Sequence, residues 1–172
     1  MKRIFIYCLF IVINMSSTFA QEFNKKYFDK KVGSEILIDQ CNRDGLKEGT
    51  FGVAFNFQYA EYNSDIYTIG KLKNHLENIS IKLVFGSWCS DSEIQVPRFI
   101  KVLDEIDFDD ANLTIIAVDR LKESRDLNID DLKIKYVPTF IIYKNNNEIG
   151  RIVESPKISL EMDLLKILQK EE

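Results

Sequence analysis

From residue 81 to the C-terminus, short and almost unbroken apolar runs alternate with longer stretches in which apolar residues recur at helical spacing. That alternation restricts the chain to a layered α/β domain. The run "IKLVFGS" (81–87) suits a strand buried on both faces. Over 91–106, Ile94, Phe99, Val102, Leu103 and Ile106 follow a helical period, with Pro97 placed to kink the helix. "LTIIAVD" (113–119) predicts a second buried strand, and "NIDDLKIKY" (128–136) a short helix or turn. "TFIIYK" (139–144), a polar turn "NNN" (145–147) and "EIGRIVES" (148–155) predict a β-hairpin. Leu160, Leu164, Leu165 and Leu168 share one face of a terminal helix, and 68–78 predicts a further amphipathic helix before the first strand. The predicted order is helix, strand, helix, strand, helix, strand, strand, helix.

Residues 21–66 obey no single period. "TFGVAFNFQYAEY" alternates like a strand through Phe51, Val53, Phe55, Phe57 and Tyr59, yet it also sets Phe51, Phe55, Tyr59 and Tyr62 at helical spacing. We read it as a helix whose rings form an extra core layer rather than a ligand-binding cluster, because aromatic rings bury so much apolar area.

The first twenty residues have another character. Lys2 and Arg3 precede an apolar run over 4–13, and "TFA" ends in the small residue Ala20, the pattern of a cleavable secretory signal. The run is about half the roughly 20 apolar residues that a spanning helix requires. The expectation is an exported, periplasmic or secreted chain beginning near Gln21, with no membrane attachment once the signal is cleaved. Cys8 would leave with that segment. The division expected is thus 1–20 signal peptide, 21–66 N-terminal extension and 67–172 main domain. Of the 172 residues, 152 remain, enough for one compact domain at 45% hydrophobic content. Losing Lys2 and Arg3 takes the formal charge from −4 to −6, and so acidic a balance argues against nucleic acid as a partner.

Chemistry concentrates at "WCSDS" (88–92), where the first strand gives way to a helix. A cysteine at a helix N-terminus faces the positive end of the macrodipole and free backbone N–H groups, which favour thiolate. Cys89 is therefore expected to be a better nucleophile than a free cysteine. Asp91 either opposes this, if its carboxylate approaches the sulfur, or caps the helix. Ser92 can donate a hydrogen bond to the Cys89 thiolate, but it cannot attack a mixed disulfide. Capture or exchange is open to such a site, whereas autonomous disulfide reduction is not; an external thiol, such as glutathione or a protein thiol, must release the product.

The order of elements and three motifs resemble the thioredoxin family. "W-C-x-x-S" stands where thioredoxins have W-C-x-x-C; Pro97 follows Cys89 by eight residues, like their helix-kinking proline; and "YVPTFIIYKNNNEIGRI" resembles their cis-proline segment and hairpin. The likeness runs from Thr68 to the end and looks closest to exported bacterial members with a single-cysteine W-C-x-D-S site. It implies a thioredoxin-like fold, a central mixed sheet flanked by helices, with the aromatic N-terminal extension outside it. It also implies Cys89 and Ser92 as the redox pair, a substrate-binding surface formed by Trp88, Val137, Pro138 and Thr139, and support from Asp91 and Pro97. Pro138 would be the cis-proline beside the sulfur, with a trans-proline at a strand start as the alternative. Where thioredoxins carry a buried acid on the strand before the motif, this chain has Leu83, in keeping with the missing resolving thiol.

These features imply thiol–disulfide exchange with protein or small-molecule thiols and disulfides, and a role in redox homeostasis, without a cofactor. The competing reading is a non-catalytic binding module on the same fold. Cys41 is read as a small buried residue, with a resolving or disulfide role for it left open. Peroxiredoxins place threonine and proline ahead of the reactive cysteine, where this chain has Phe85 and Gly86. A monothiol glutaredoxin-type cluster site fits Trp88 and Asp91 less well than thioredoxin does. No metal site is expected: His75 is the single histidine and Cys89 has no second ligand at metal-site spacing. Asp109, Asp110, Asp130 and Asp131 suit solvated or capping roles.

Overall fold

The computed structural model describes residues 22–171, so the expected signal segment and Cys8 lie outside the described residues. Six strands form one sheet in the order β1-β2-β4-β3-β5-β6. They are β1 (Lys25–Asp29), β2 (Ser34–Cys41), β3 (Ile79–Phe85), β4 (Leu113–Ala117), β5 (Thr139–Lys144) and β6 (Asn147–Val153). The helices are α1 (Gly49–Glu61), α2 (Ile66–Leu72), α3 (Ser90–Glu105) and α4 (Leu160–Leu168). β3 lies at the centre, parallel to β4 and antiparallel to β5, and the remaining pairings are antiparallel. The sheet is therefore mixed and flanked by helices.

Strand periodicity sorts the core into two layers. Ile81, Leu83, Phe85, Ile115, Ala117, Phe140 and Ile142 face the helices, where Phe51 and Phe55 of α1, Phe99 of α3 and Leu164 of α4 complete one apolar cluster. Their alternates Val84 and Ile116, with Val118, Ile129 and Val137, form a smaller cluster on the opposite face. Among the described residues no α-helix contributes to that face; the 118–137 segment covers it, with Leu127, Leu132 and Ile134 packed against it.

α1 is helical, as the spacing of Phe51, Phe55, Tyr59 and Tyr62 predicts. Phe51 and Phe55 are buried, while Val53 and Phe57 stand exposed on the outer face, which explains why both periods fitted. The 25–41 region, given no element from sequence, supplies two strands, and β2 joins the sheet through Asp39–Cys41 against β4. The amphipathic helix expected over 68–78 starts earlier and ends sooner. Asp65 caps it by accepting from Thr68 N–H at 3.0 Å, and a 3-10 turn follows over Lys73–His75. In place of the three-asparagine turn, Asn145 and Asn146 alone make a two-residue hairpin turn, both with positive φ (51° and 64°), and Asn147 opens β6. The helical part of 128–136 is a single 3-10 turn, Asp130–Leu132, ended by Lys133 in the left-handed region.

A buried carboxylate ties the N-terminal helices to the last one. Glu161, only 3% exposed, accepts from the Tyr62 hydroxyl at 2.6 Å and from Asp65 N–H at 3.1 Å. Burial pushes this carboxyl up, but the hydrogen bonds from Tyr62 and Asp65 outweigh it and hold the group below its usual 4.5. A carboxylate with a lowered folded-state pKa stabilises fully above its unfolded pKa, and that contribution is lost as pH falls through the folded value. We expect the urea midpoint to fall between about pH 6 and about pH 3, and to fall less steeply in Glu161→Gln. Equal slopes in the two proteins would show that this group does not carry the effect.

Candidate functional site

β3 delivers the chain to Gly86, Ser87 and Trp88, and α3 begins at once. Cys89 is the N-cap of α3, with extended φ/ψ (−104°, 125°); its N–H donates to Gly86 O at 3.0 Å and its carbonyl accepts from Glu93 N–H at 3.0 Å. Cys89 is partly exposed, and its S–H donates to the carbonyl of Val137 at 3.4 Å. The Val137–Pro138 peptide is cis, so Cys89 faces the segment singled out from sequence. Thr139, at the head of β5, is buried and donates through Oγ1 to Tyr136 O at 2.7 Å, while Pro138 O accepts from Glu154 N–H at 2.7 Å. The wall facing the cysteine is thus held by its own hydrogen bonds.

Trp88 packs across the end of the sheet. Its Nε1–H donates to Val118 O at 2.9 Å, and the Arg120 guanidinium lies over the ring at 5.7 Å from the centroid. Gly86 makes room for it: a Cβ there would stand 2.6 Å from the indole.

Ser92 is fully buried, and its Oγ accepts from Gly86 N–H at 3.3 Å. This bond ties the first turn of α3 to the end of β3, and among the described residues no hydrogen bond runs from the Ser92 hydroxyl to the Cys89 sulfur. Asp91 stands inside the first turn with Glu93, and the cap position belongs to Cys89, so Asp91 does not cap the helix. Pro97 lies within α3 and is buried. Leu83 is fully buried, paired with Ile115 and Phe140. Cys41 lies on β2 in the helix-facing cluster, whereas Cys89 packs against the other one. Burial pushes the Cys41 thiol up to about 12, so it is a poor nucleophile at neutral pH. The two cysteines are free thiols with different surroundings.

Three contributors escaped the sequence reading. Ser87 Oγ accepts from Leu37 N–H of β2 at 2.9 Å, fastening the loop before the cysteine to the N-terminal hairpin. Arg120 lies over the Trp88 ring, and Asp39 accepts from Arg125 and Asp126 of the loop that carries Arg120. The polar "DRLKES" after β4 marks a turn, but nothing in it announces contact with Trp88.

A cysteine capping the helix that leaves the central strand, faced by a cis-proline at the head of the next antiparallel strand, decides the architecture. The fold is thioredoxin-like. No family model matches the sequence, and no curated protein matches it. Among solved structures, a protein of unknown function from Pseudomonas aeruginosa aligns over 70% of this chain and 85% of its own, at 14% identity and a TM-score of 0.56. An HIV epitope scaffold aligns over 69% of this chain and 84% of its own, at 14% identity and a TM-score of 0.54. Thioredoxin f from spinach chloroplast aligns over 57% and 74%, at 22% identity and a TM-score of 0.36. At 14% identity the likeness to the first two is one of fold.

Proposed function

We propose that this thioredoxin-like chain is an exported monothiol protein that takes part in thiol–disulfide exchange by forming mixed disulfides at Cys89. The observation that carries the reading is the partly exposed Cys89 at the N-cap of α3, with its sulfur 3.4 Å from the carbonyl that precedes the cis-proline. The nucleophile in such exchange is the thiolate, not the thiol. That thiolate attacks one sulfur of a partner disulfide, the Cys89–partner bond forms as the partner's own S–S bond breaks, and the other partner sulfur leaves as thiolate. An external thiolate then attacks the mixed disulfide and restores Cys89, with no net redox change in the protein. Of the expected substrate-binding residues Trp88 is partly exposed, whereas Val137, Pro138 and Thr139 are buried, so a partner would meet Cys89 and Trp88 first and the cis-proline segment would back them from beneath. Lys2, Arg3, the apolar run and Ala20 support export to the periplasm or beyond.

The second reading, a binding module, draws on Ser92, whose hydroxyl serves the backbone, and on Leu83. One experiment separates the two. In a Cys41→Ser chain with Cys89 as the only thiol after residue 21, the pH dependence of alkylation and reaction with a peptide disulfide are followed by mass. Alkylation at neutral pH together with a stoichiometric mixed disulfide is expected; a sulfur inert at neutral pH leaves the binding module.

A further inference from the structure

We propose that Asp39, on the hairpin preceding the site, is a positioning residue that fastens the 119–126 loop and through it holds Trp88 beside Cys89. Asp39 ends a run of buried residues on β2 and is itself 3% exposed, with φ at 66°. A carboxylate so buried must be hydrogen-bonded to persist. Its donors come from one loop. The Ser124 hydroxyl, Arg125 N–H at 2.7 Å and Asp126 N–H at 2.9 Å converge on the same oxygen, Oδ1. Ser124 Oγ in turn accepts from Leu127 N–H at 3.3 Å.

The other end of that loop holds the tryptophan. Val118 donates its N–H to Phe85 O at 2.8 Å and receives the Trp88 indole N–H on its carbonyl, and Arg120 lies over the ring. Between the two ends, Asp119 Oδ1 gathers Leu121 N–H at 2.8 Å and Glu123 N–H at 3.1 Å, so the loop turns as a unit. β1 adds a brace outside, where Lys25 pairs with Asp126 at 2.7 Å and Arg125 lies over the Tyr27 ring at 3.6 Å. Burial pushes the Asp39 carboxyl up, but hydrogen bonds from Ser124, Asp126 and Arg125 outweigh it and hold the group below its ordinary range, which keeps it ionised at neutral pH. Asp39 thus shapes the wall of the site through the 119–126 loop.

Trp88 is the single tryptophan of the chain, so its emission reports on the wall directly. Asp39→Ala removes the acceptor, Ser124→Ala removes one donor and leaves the sheet intact, and Asp39→Asn keeps an oxygen where Oδ1 stands. Below the denaturant transition, Asp39→Ala is expected to shift Trp88 emission to the red and open it to acrylamide. Ser124→Ala should move both in the same direction by less, and Asp39→Asn should return them toward the parent. A residue that merely lowers global stability leaves native-state emission unchanged. The rate of mixed-disulfide formation at Cys89, which rests on the proposed function, should drop about tenfold in Asp39→Ala, as small misplacements of a reacting group cause. Parent-like emission and quenching in Ser124→Ala and in a folded Asp39→Ala overturn the proposal; if Asp39→Ala does not fold, Ser124→Ala decides alone. A parent protein that forms no mixed disulfide removes the exchange reading and leaves the fluorescence test of Asp39 standing.

Discussion

On the exchange proposed for Cys89, replacing Ser92 by cysteine is expected to convert a lasting mixed disulfide into a short-lived one. Positions 89 and 92 are the N-cap and third residue of α3, the pair whose side chains and backbones reach each other in a capping box. A thiol at 92 would attack from within the molecule. Well-oriented intramolecular groups act at effective molarities of about 10⁵ M or more, so release should quicken by at least about a thousandfold over a millimolar external thiol. The site accepts the sulfur, since free cysteine behaves as a small hydrophobe and Ser92 is fully buried with one backbone donor. The check is quenched-flow trapping of a peptide adduct in the parent and in Ser92→Cys, with Cys41→Ser in both. The adduct should accumulate in the parent; in the variant it should pass to an internal disulfide between Cys89 and the introduced thiol, with release of peptide thiol. An adduct equally long-lived in both would show that something other than the missing sulfur limits release.

Phe140→Ala is expected to produce the largest loss of stability. Phe140 is fully buried on the strand that leads away from the cis-proline, with its ring 4.2 Å from that of Phe99 on α3. Removing such a ring deletes its transfer free energy and leaves a cavity that close-packed neighbours fill only in part. The cost is roughly 3–5 kcal/mol, against a total of about 5–15 kcal/mol for a typical domain. Urea denaturation at neutral pH reads it as a lower midpoint with an unchanged slope. A loss below about 1 kcal/mol would contradict the packing between β5 and α3.

The elements after residue 66 are legible because each buries one or two continuous apolar faces, so the 3.6 and two-residue periods survive in the sequence. β3, α3, the β5–β6 hairpin and α4 lie where those periods put them. The strands before α1 are illegible for a physical reason. β1 is an edge strand whose Lys25, Lys26 and Asp29 face solvent or ion pairs, and β2 carries a charged residue, Asp39, at a buried position with positive φ. A buried charge breaks the pattern that marks a strand, and its partners, Ser124 to Asp126, lie more than eighty positions away. At the site, Cys89, Trp88 and Pro138 come together as the motifs suggest. Ser92 adds a contact that spacing does not show, its Oγ accepting from the backbone N–H of Gly86. Ser87 and Arg120 act through contacts set by the chain's path, which spacing does not encode.

The 118–137 segment gives the sheet a cover of loop where its other face has helices. A helix can lengthen or shorten only by whole turns without rotating its apolar stripe away from the sheet, whereas a loop can gain or lose residues singly and keep its anchors. The wall beside Cys89 is therefore free to diverge among descendants of this chain at a pace the sheet cannot follow. The cover beside Cys89 and the sheet beneath it can change length independently.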